Sequence, residues 1–173
     1  MQFASGVSAF NELGLATGTT FKTNCFYTIG LNYSEAISKR WDVCSGLEYT
    51  SNSMTVIPGS FGGYEIGRYP ADLMLFTIPV QFKYHLGKFF FVNGGPLLNI
   101  VSRISEKRSI ENKVFHDNIS MWLGLGLGLG IEHEFNSGIV LSLHSDVRSN
   151  GYFVLGKHSY YQAGASLGVG YKF

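Results

Sequence analysis

The sequence predicts an all-β chain, an eight-stranded antiparallel, up-and-down transmembrane β-barrel with residues 1–173 as its single domain. Three observations predict it. Apolar residues alternate with small or polar ones over most of the chain, most regularly in 119–134 and 161–173, and a strand of period two keeps one face in an apolar medium and the other in a polar one. Short and long connections also alternate, as in bacterial barrels with short periplasmic turns, longer extracellular loops and an even strand number. Charged residues are 14% of the chain, well below the share of about 25% usual in soluble domains.

The first strand lies within 2–15 and is the weakest, with Val7, Ala9, Leu13 and Leu15 assigned to its outer face. The next two, 25–34 and 41–50, form a hairpin around a turn near Ser38, with Tyr27 opposite Tyr49, Ile29 opposite Leu47 and Tyr33 opposite Val43. In that register Cys25 opposes Ser51 and Cys44 opposes Asn32 on the other face. The thiols are then too far apart and wrongly directed for a disulfide, so both are expected free, and two cysteines say little about redox compartment.

The fourth strand, 73–85, sets Met74, Phe76, Ile78, Val80, Phe82 and Tyr84 against Leu75, Thr77, Pro79, Gln81, Lys83 and His85. The fifth, 89–102, sets Phe90, Val92, Leu98 and Ile100 against Phe91, Asn93, Leu97 and Asn99. Pro79 and Pro96 each remove a ladder donor, and a bulge at each is the expected accommodation.

In the sixth, 119–134, Ile119, Met121, Leu123, Leu125, Leu127, Leu129 and Ile131 share one face, opposite Ser120, Trp122, Gly124, Gly126, Gly128, Gly130 and Glu132. A helix here would carry those glycines at about 1 kcal/mol each against alanine. The seventh, 139–148, sets Ile139, Leu141, Leu143 and Val147 against Ser142, His144, Asp146 and Arg148. The last sets Tyr161, Ala163, Ala165, Leu167, Val169, Tyr171 and Phe173 against Gln162, Gly164, Ser166, Gly168, Gly170 and Lys172. Its final aromatics, Tyr171 and Phe173, fit an interfacial girdle and are assigned as the C-terminal signal read by the barrel-assembly machinery.

Short turns are expected near Ile37 to Lys39, at Gly87 and Lys88, and at Asn136 to Gly138, with long loops at 16–23, 51–71, 103–118 and 149–158. Three short turns and four long loops give eight strands with both termini in the periplasm. Gly59, Gly62, Gly63 and Gly67 mark one of the extracellular loops.

A soluble lipocalin-like ligand-binding barrel would invert the faces, apolar inside and polar outside. The polar faces here hold Asp42, Glu48, Lys83, His85, Glu132, His144, Asp146, Arg148 and Lys172, of both signs, while the apolar faces of the seven clear strands hold no Asp, Glu, Lys or Arg. Eight strands leave an interior just wide enough to be filled by side chains. Opposite charges among glycine and serine suit that space; rows of Leu, Ile, Val, Phe and Tyr would crowd it. Glu48, Lys83, Glu132, Asp146 and Arg148 are therefore expected to form a lumen ion network, and Leu123, Leu125, Leu127, Leu129, Leu167 and Val169 to face lipid. Trp41, Phe89, Phe90, Phe135, Tyr171 and Phe173 fall near the short turns, where a periplasmic girdle belongs, and Tyr27, Tyr49, Tyr160 and Tyr161 near the opposite one.

No segment approaches the 18 or so consecutive apolar residues of a membrane helix. No basic region precedes an apolar stretch as in a signal peptide, so export to a Gram-negative outer membrane implies a longer precursor, with Met1 an added start. A net charge of +1 offers no basic face for nucleic acid, and the mixed cluster Glu106, Lys107, Arg108, Glu111 and Lys113 reads as a solvated loop.

The run Phe76-Thr77-Ile78-Pro79-Val80-Gln81-Phe82-Lys83-Tyr84, then Gly94-Gly95-Pro96, and the closing Leu167-Gly168-Val169-Gly170-Tyr171-Lys172-Phe173 resemble the small outer-membrane β-barrel domains of Bacteroidetes, the group that includes PorT-like and OmpA-like barrels. The resemblance covers nearly the whole chain. It implies a fold and a location and supplies no activity.

Outer-membrane barrels can be enzymes, and two short stretches here carry residue types of a catalytic set. His144, Ser145 and Asp146 share a short stretch, but alternation points Ser145 away from the other two and removes the nucleophile-to-base hydrogen bond. Arg148-Ser149-Asn150-Gly151 resembles the His-x-Ser-Asn stretch of PagL-type lipid A deacylases, with Val147 where the histidine belongs. His85, His144 and Asp146 are residue types that suit several divalent ions; an ion network is the simpler role. Glycine alternation at 124–130 is no phosphate loop, since no helix pattern follows it. The expectation is a non-enzymatic barrel, with no catalytic residues, metal or cofactor. Its partners would be outer-membrane lipid, the assembly machinery and a ligand outside the cell that the sequence does not identify. The alternatives are a lipid-modifying barrel enzyme or a conduit for small apolar molecules.

Overall fold

The computed structural model describes residues 2–12, 20–57, 68–106, 120–150 and 158–172. They form eight strands: β1 (Gln2–Glu12), β2 (Thr20–Ala36), β3 (Trp41–Ile57), β4 (Tyr69–His85), β5 (Phe90–Glu106), β6 (Ser120–Glu134), β7 (Ile139–Asn150) and β8 (His158–Tyr171). Each pairs antiparallel with its sequence neighbour, and β1 also pairs with β8 from Gln2↔Gly168 to Glu12↔His158. The ring is closed, and closure removes the free edges that an open sheet leaves to other chains.

Period-two sequence becomes two opposed surfaces. On β6 the residues Met121, Leu123, Leu125, Leu127, Leu129 and Ile131 are exposed, while Gly124, Gly126 and Gly130 are buried and Gly128 half-buried. On β4, Phe76, Val80 and Phe82 stand outside, and Leu73, Leu75 and Thr77 are buried. Two of the short connections need a backbone that glycine adopts without steric cost: Gly87 has φ 111° and Gly138 has φ 82°.

Several sequence expectations are corrected. The β2–β3 hairpin pairs Tyr27 with Ser51, Ile29 with Tyr49 and Tyr33 with Ser45, two residues from the expected register. The turn is centred one residue later than Ser38, because the amides of Ile37 and Ser38 both donate to the Trp41 carbonyl, at 2.8 and 3.1 Å. Cys44 accordingly faces Ser34, not Asn32. Cys44 is a free thiol whose Sγ donates to Ser34 Oγ at 3.2 Å. Cys25 pairs at the backbone with Val7 of β1, and its side chain is outside the described residues.

Neither Pro79 nor Pro96 marks a bulge. Pro79↔Leu97 and Pro96↔Leu125 sit in unbroken register, and pairing merely lapses between Ser45↔Val80 and Glu48↔Thr77 and between Pro79↔Leu97 and Phe82↔Gly94. A missing N–H costs a local bond without adding a residue to the strand. The register shifts fall instead between Thr23 and Phe26 and between Met74 and Leu75.

The strands also run further than expected. Residues 20–23, 51–57, 69–71, 103–106, 149–150 and 158 were expected in loops and are paired strand, since backbone ladders extend through polar side chains such as Ser51, Asn52 and Ser53. Apart from Arg68, the rest of those expected loops, and Phe173, lie outside the described residues, as do Leu13 and Leu15 and the side chains of Val7, Ala9, Trp122 and Tyr160.

Candidate functional site

The lumen is built by the inward faces of β2 to β8. Midway along it, Arg148 is 6% exposed and Glu48 4%. The Arg148 guanidinium donates through Nη1 to Glu48 and through Nε to Asp146, so a single cation on β7 is held by carboxylates from β3 and from its own strand. Removing a charge from water is costly unless it is paired and hydrogen-bonded; Arg148 is paired twice.

Nearer the short turns lies a second cluster. Lys83 Nζ donates to Glu132 Oε2 at 2.9 Å and lies 3.9 Å from Asp42 Oδ2. His85 contacts the same Asp42 oxygen at 2.8 Å and Glu132 Oε1 at 3.6 Å. The Lys83 ammonium also sits 5.0 Å from the Phe91 ring centre, a cation–π distance. Asp42 and Glu132 thus bracket both the Lys83 ammonium and the His85 ring, and no metal-holding group of three or more ligands is assembled among the described residues.

Between and above these clusters neutral groups fill the space. Thr28 and Thr50 hydroxyls share a hydrogen bond of 2.7 Å, Thr77 Oγ1 donates to Asn99 Oδ1 at 2.7 Å, and Asn93 Nδ2 donates to Gln81 Oε1 at 2.8 Å. Leu73 and Leu75 are buried on the long-loop side of Thr77, and Leu97, fully buried, lies beside Gly126. The β6 glycines give these groups room. A Cβ on Gly126 would lie 3.1 Å from Gln81 Nε2 and 3.4 Å from a Leu97 methyl, and one on Gly128 would meet Ser145 O at 3.0 Å.

All five residues expected in the ion network, Glu48, Lys83, Glu132, Asp146 and Arg148, point inward, and they divide between the two clusters. The period-two pattern places Asp42 and His85 on the polar faces without assigning them to the network. The Thr–Thr, Thr–Asn and Gln–Asn pairs carry no charge signal in the sequence. His144 faces inward with Ser166 Oγ 2.8 Å from its Nε2, whereas Ser145 is exposed on the outer wall.

That outer wall has its own pattern. Leu123, Leu125, Leu127, Leu129, Leu167 and Val169 are all exposed, Leu127 to 71%. Near the short turns Trp41 packs on Tyr84 with ring centres 4.8 Å apart, and His133 lies between Phe89 at 5.7 Å and Phe135 at 4.6 Å. Higher up, Tyr49 and Phe76 meet at 5.3 Å, with Tyr27 exposed beside them on β2. Between Tyr49–Phe76 and Trp41–Tyr84 the outward positions of β3 and β4 carry no Asp, Glu, Lys or Arg. Above it the first outward charge on β4 is Asp72, whose Oδ1 accepts from Ser53 Oγ at 2.7 Å.

At the short-turn rim Lys172 Nζ donates to Glu134 Oε2 at 2.7 Å, and the carboxylate holds the ammonium pKa above the usual lysine value.

No family model matches the chain, and no curated protein matches it. Among solved structures the NanC porin, in a rhombohedral crystal form, aligns over 100% of both chains at 10% identity with a TM-score of 0.29. A likeness of that degree carries no argument about this chain.

Proposed function

We propose that this chain is a non-enzymatic outer-membrane protein that crosses the bilayer as an eight-stranded barrel with a side-chain-filled lumen, its long loops outside the cell and its termini in the periplasm. The observation that carries the reading is the charge-free outer band bounded by aromatic pairs. Trp41 and Tyr49 are eight residues apart, as are Tyr84 and Phe76, and Tyr171 and Tyr161 are ten. At about 3.3 Å per residue and a tilt of about 35–45° that separation spans roughly 20–25 Å, against an apolar band about 25 Å tall in outer-membrane barrels.

The buried ion pairs support the same reading, since a soluble barrel of inverted polarity would have its apolar residues inside. In this reading the chain stands with the PorT-like and OmpA-like barrels of Bacteroidetes that it resembles, and it acts as a structural or surface-binding protein. The outward Ser145, directed away from His144, favours no hydrolytic role. Planar-bilayer recording of the refolded protein tests the filled lumen: little or no steady conductance is expected, and large stable single-channel steps would contradict it. Mass spectra of lipid A from cells with and without the protein test the non-enzymatic part, and an altered acyl pattern would restore the lipid-modifying alternative.

A further inference from the structure

The outer wall is not uniform where it meets the short-turn rim. Phe90, Ile131, Leu143 and Leu167 are successive cross-strand partners over β5 to β8, and together with Leu141 they line a groove of about 370 Å³. Beside it, at the rim, lies a cleft of about 500 Å³ lined by Lys88, His133, Glu134 and Asn136. Phe89 and His133 belong to both. The two depressions therefore adjoin across Phe89 and His133 and together make a track that is oily on the wall and polar at its mouth.

Charge at the mouth decides what would enter it. Glu134 is already engaged by Lys172 at 2.7 Å, while Lys88 is exposed in the β4–β5 turn and has no carboxylate partner among the described residues. The mouth thus offers one uncompensated ammonium. His133 beside it is stacked on Phe89 and edge-on to Phe135, which fixes its ring at the junction of the two parts.

We propose that this track is a binding site for one anionic glycerophospholipid, with an acyl chain in the groove of Phe90, Ile131, Leu141, Leu143 and Leu167 and the headgroup phosphate at Lys88. The inference rests on the membrane reading above and adds to it a lipid class and a place. A zwitterionic lipid brings a cation of its own to the same mouth and gains less from Lys88, so the site discriminates by net headgroup charge.

The test uses the full chain refolded into vesicles of equal dioleoyl phosphatidylglycerol and dioleoyl phosphatidylcholine, then released for native mass spectrometry. Retained phosphatidylglycerol should exceed phosphatidylcholine several-fold. Lys88→Glu should lower that retention at least fivefold, and Leu143→Trp, which fills the groove, should lower retention of both lipids. Lys39→Glu, a charge reversal at a different short turn, should change neither. Equal retention of the two lipids, or indifference to Lys88→Glu, would overturn the site while leaving the barrel in its membrane. Failure of the wild-type chain to float with the vesicles would overturn the membrane reading and the site with it.

Discussion

Leu125 and Leu127 stand on the outside of β6, exposed, while Gly126 and Gly128, each one residue away, face a lumen in which an added carbon would press on Gln81 and Leu97 or on Asn93 and Ser145. The outer face of β6 carries apolar bulk from Met121 to Ile131 and no Asp, Glu, Lys or Arg there; the inner faces of the barrel carry small residues or charges that are paired. A slip of one residue would exchange them, placing leucines against Gln81 and Asp146 and glycines outside. Both faces therefore specify the same parity, and under the membrane reading the contrast between them is what separates a membrane barrel from a soluble one.

Four substitutions sharpen or break that contrast. Arg148→Met removes the cation shared by Glu48 and Asp146 and leaves two buried carboxylates together; breaking a buried pair in this way costs about 3–5 kcal/mol. Urea unfolding from vesicles should show the loss, and an unchanged midpoint would mean that water enters the lumen. Leu127→Arg places a charge on the outer band, where the penalty near a bilayer midplane is about 2–4 kcal/mol, and should cut the folded fraction in vesicles.

Gly126→Leu puts bulk where its first carbon would lie 3.1 Å from Gln81 Nε2. Overpacking of this kind costs about 1–3 kcal/mol, so the variant should insert but unfold at lower urea. Normal stability in this variant would reveal space in the lumen. Lys172→Ala tests the rim. Its pair with Glu134 is exposed, and such pairs contribute at most about 1 kcal/mol. Because Glu134 raises the folded-state pKa of Lys172, that small contribution is complete below the unfolded lysine value of about 10.4 and disappears as pH rises through the raised value. The wild type and the variant should therefore differ slightly at pH 8 and converge in strong alkali.

Much of this contrast is legible in the sequence, because the face of a strand residue follows from parity alone. Register is less legible. The expected and observed β2–β3 pairings differ by two residues, which keeps Tyr27, Ile29, Leu31 and Tyr33 outside in both, so hydrophobic pattern does not choose between them and the turn does. Strand length was underestimated for a related reason: β2 to β5 have 17 residues each, beyond the 9–11 or so that span a bilayer, and their upper ends lose the apolar signal while keeping their ladders. In the lumen the charged residues announce themselves, yet their division into an Arg148 cluster and a Lys83 cluster depends on which strands face one another after tilt and closure. Residues such as Thr28, Thr50 and Asn99 become legible only through the partners they meet.

The central claim, that the leucine face of β6 meets lipid, is tested most directly by spin labels placed singly at 125 and 127 in the refolded protein. Relaxation by oxygen, which partitions into the bilayer, with little effect from a water-soluble nickel reagent, is the predicted result. The reverse pattern at both positions would contradict it and return the chain to a soluble barrel.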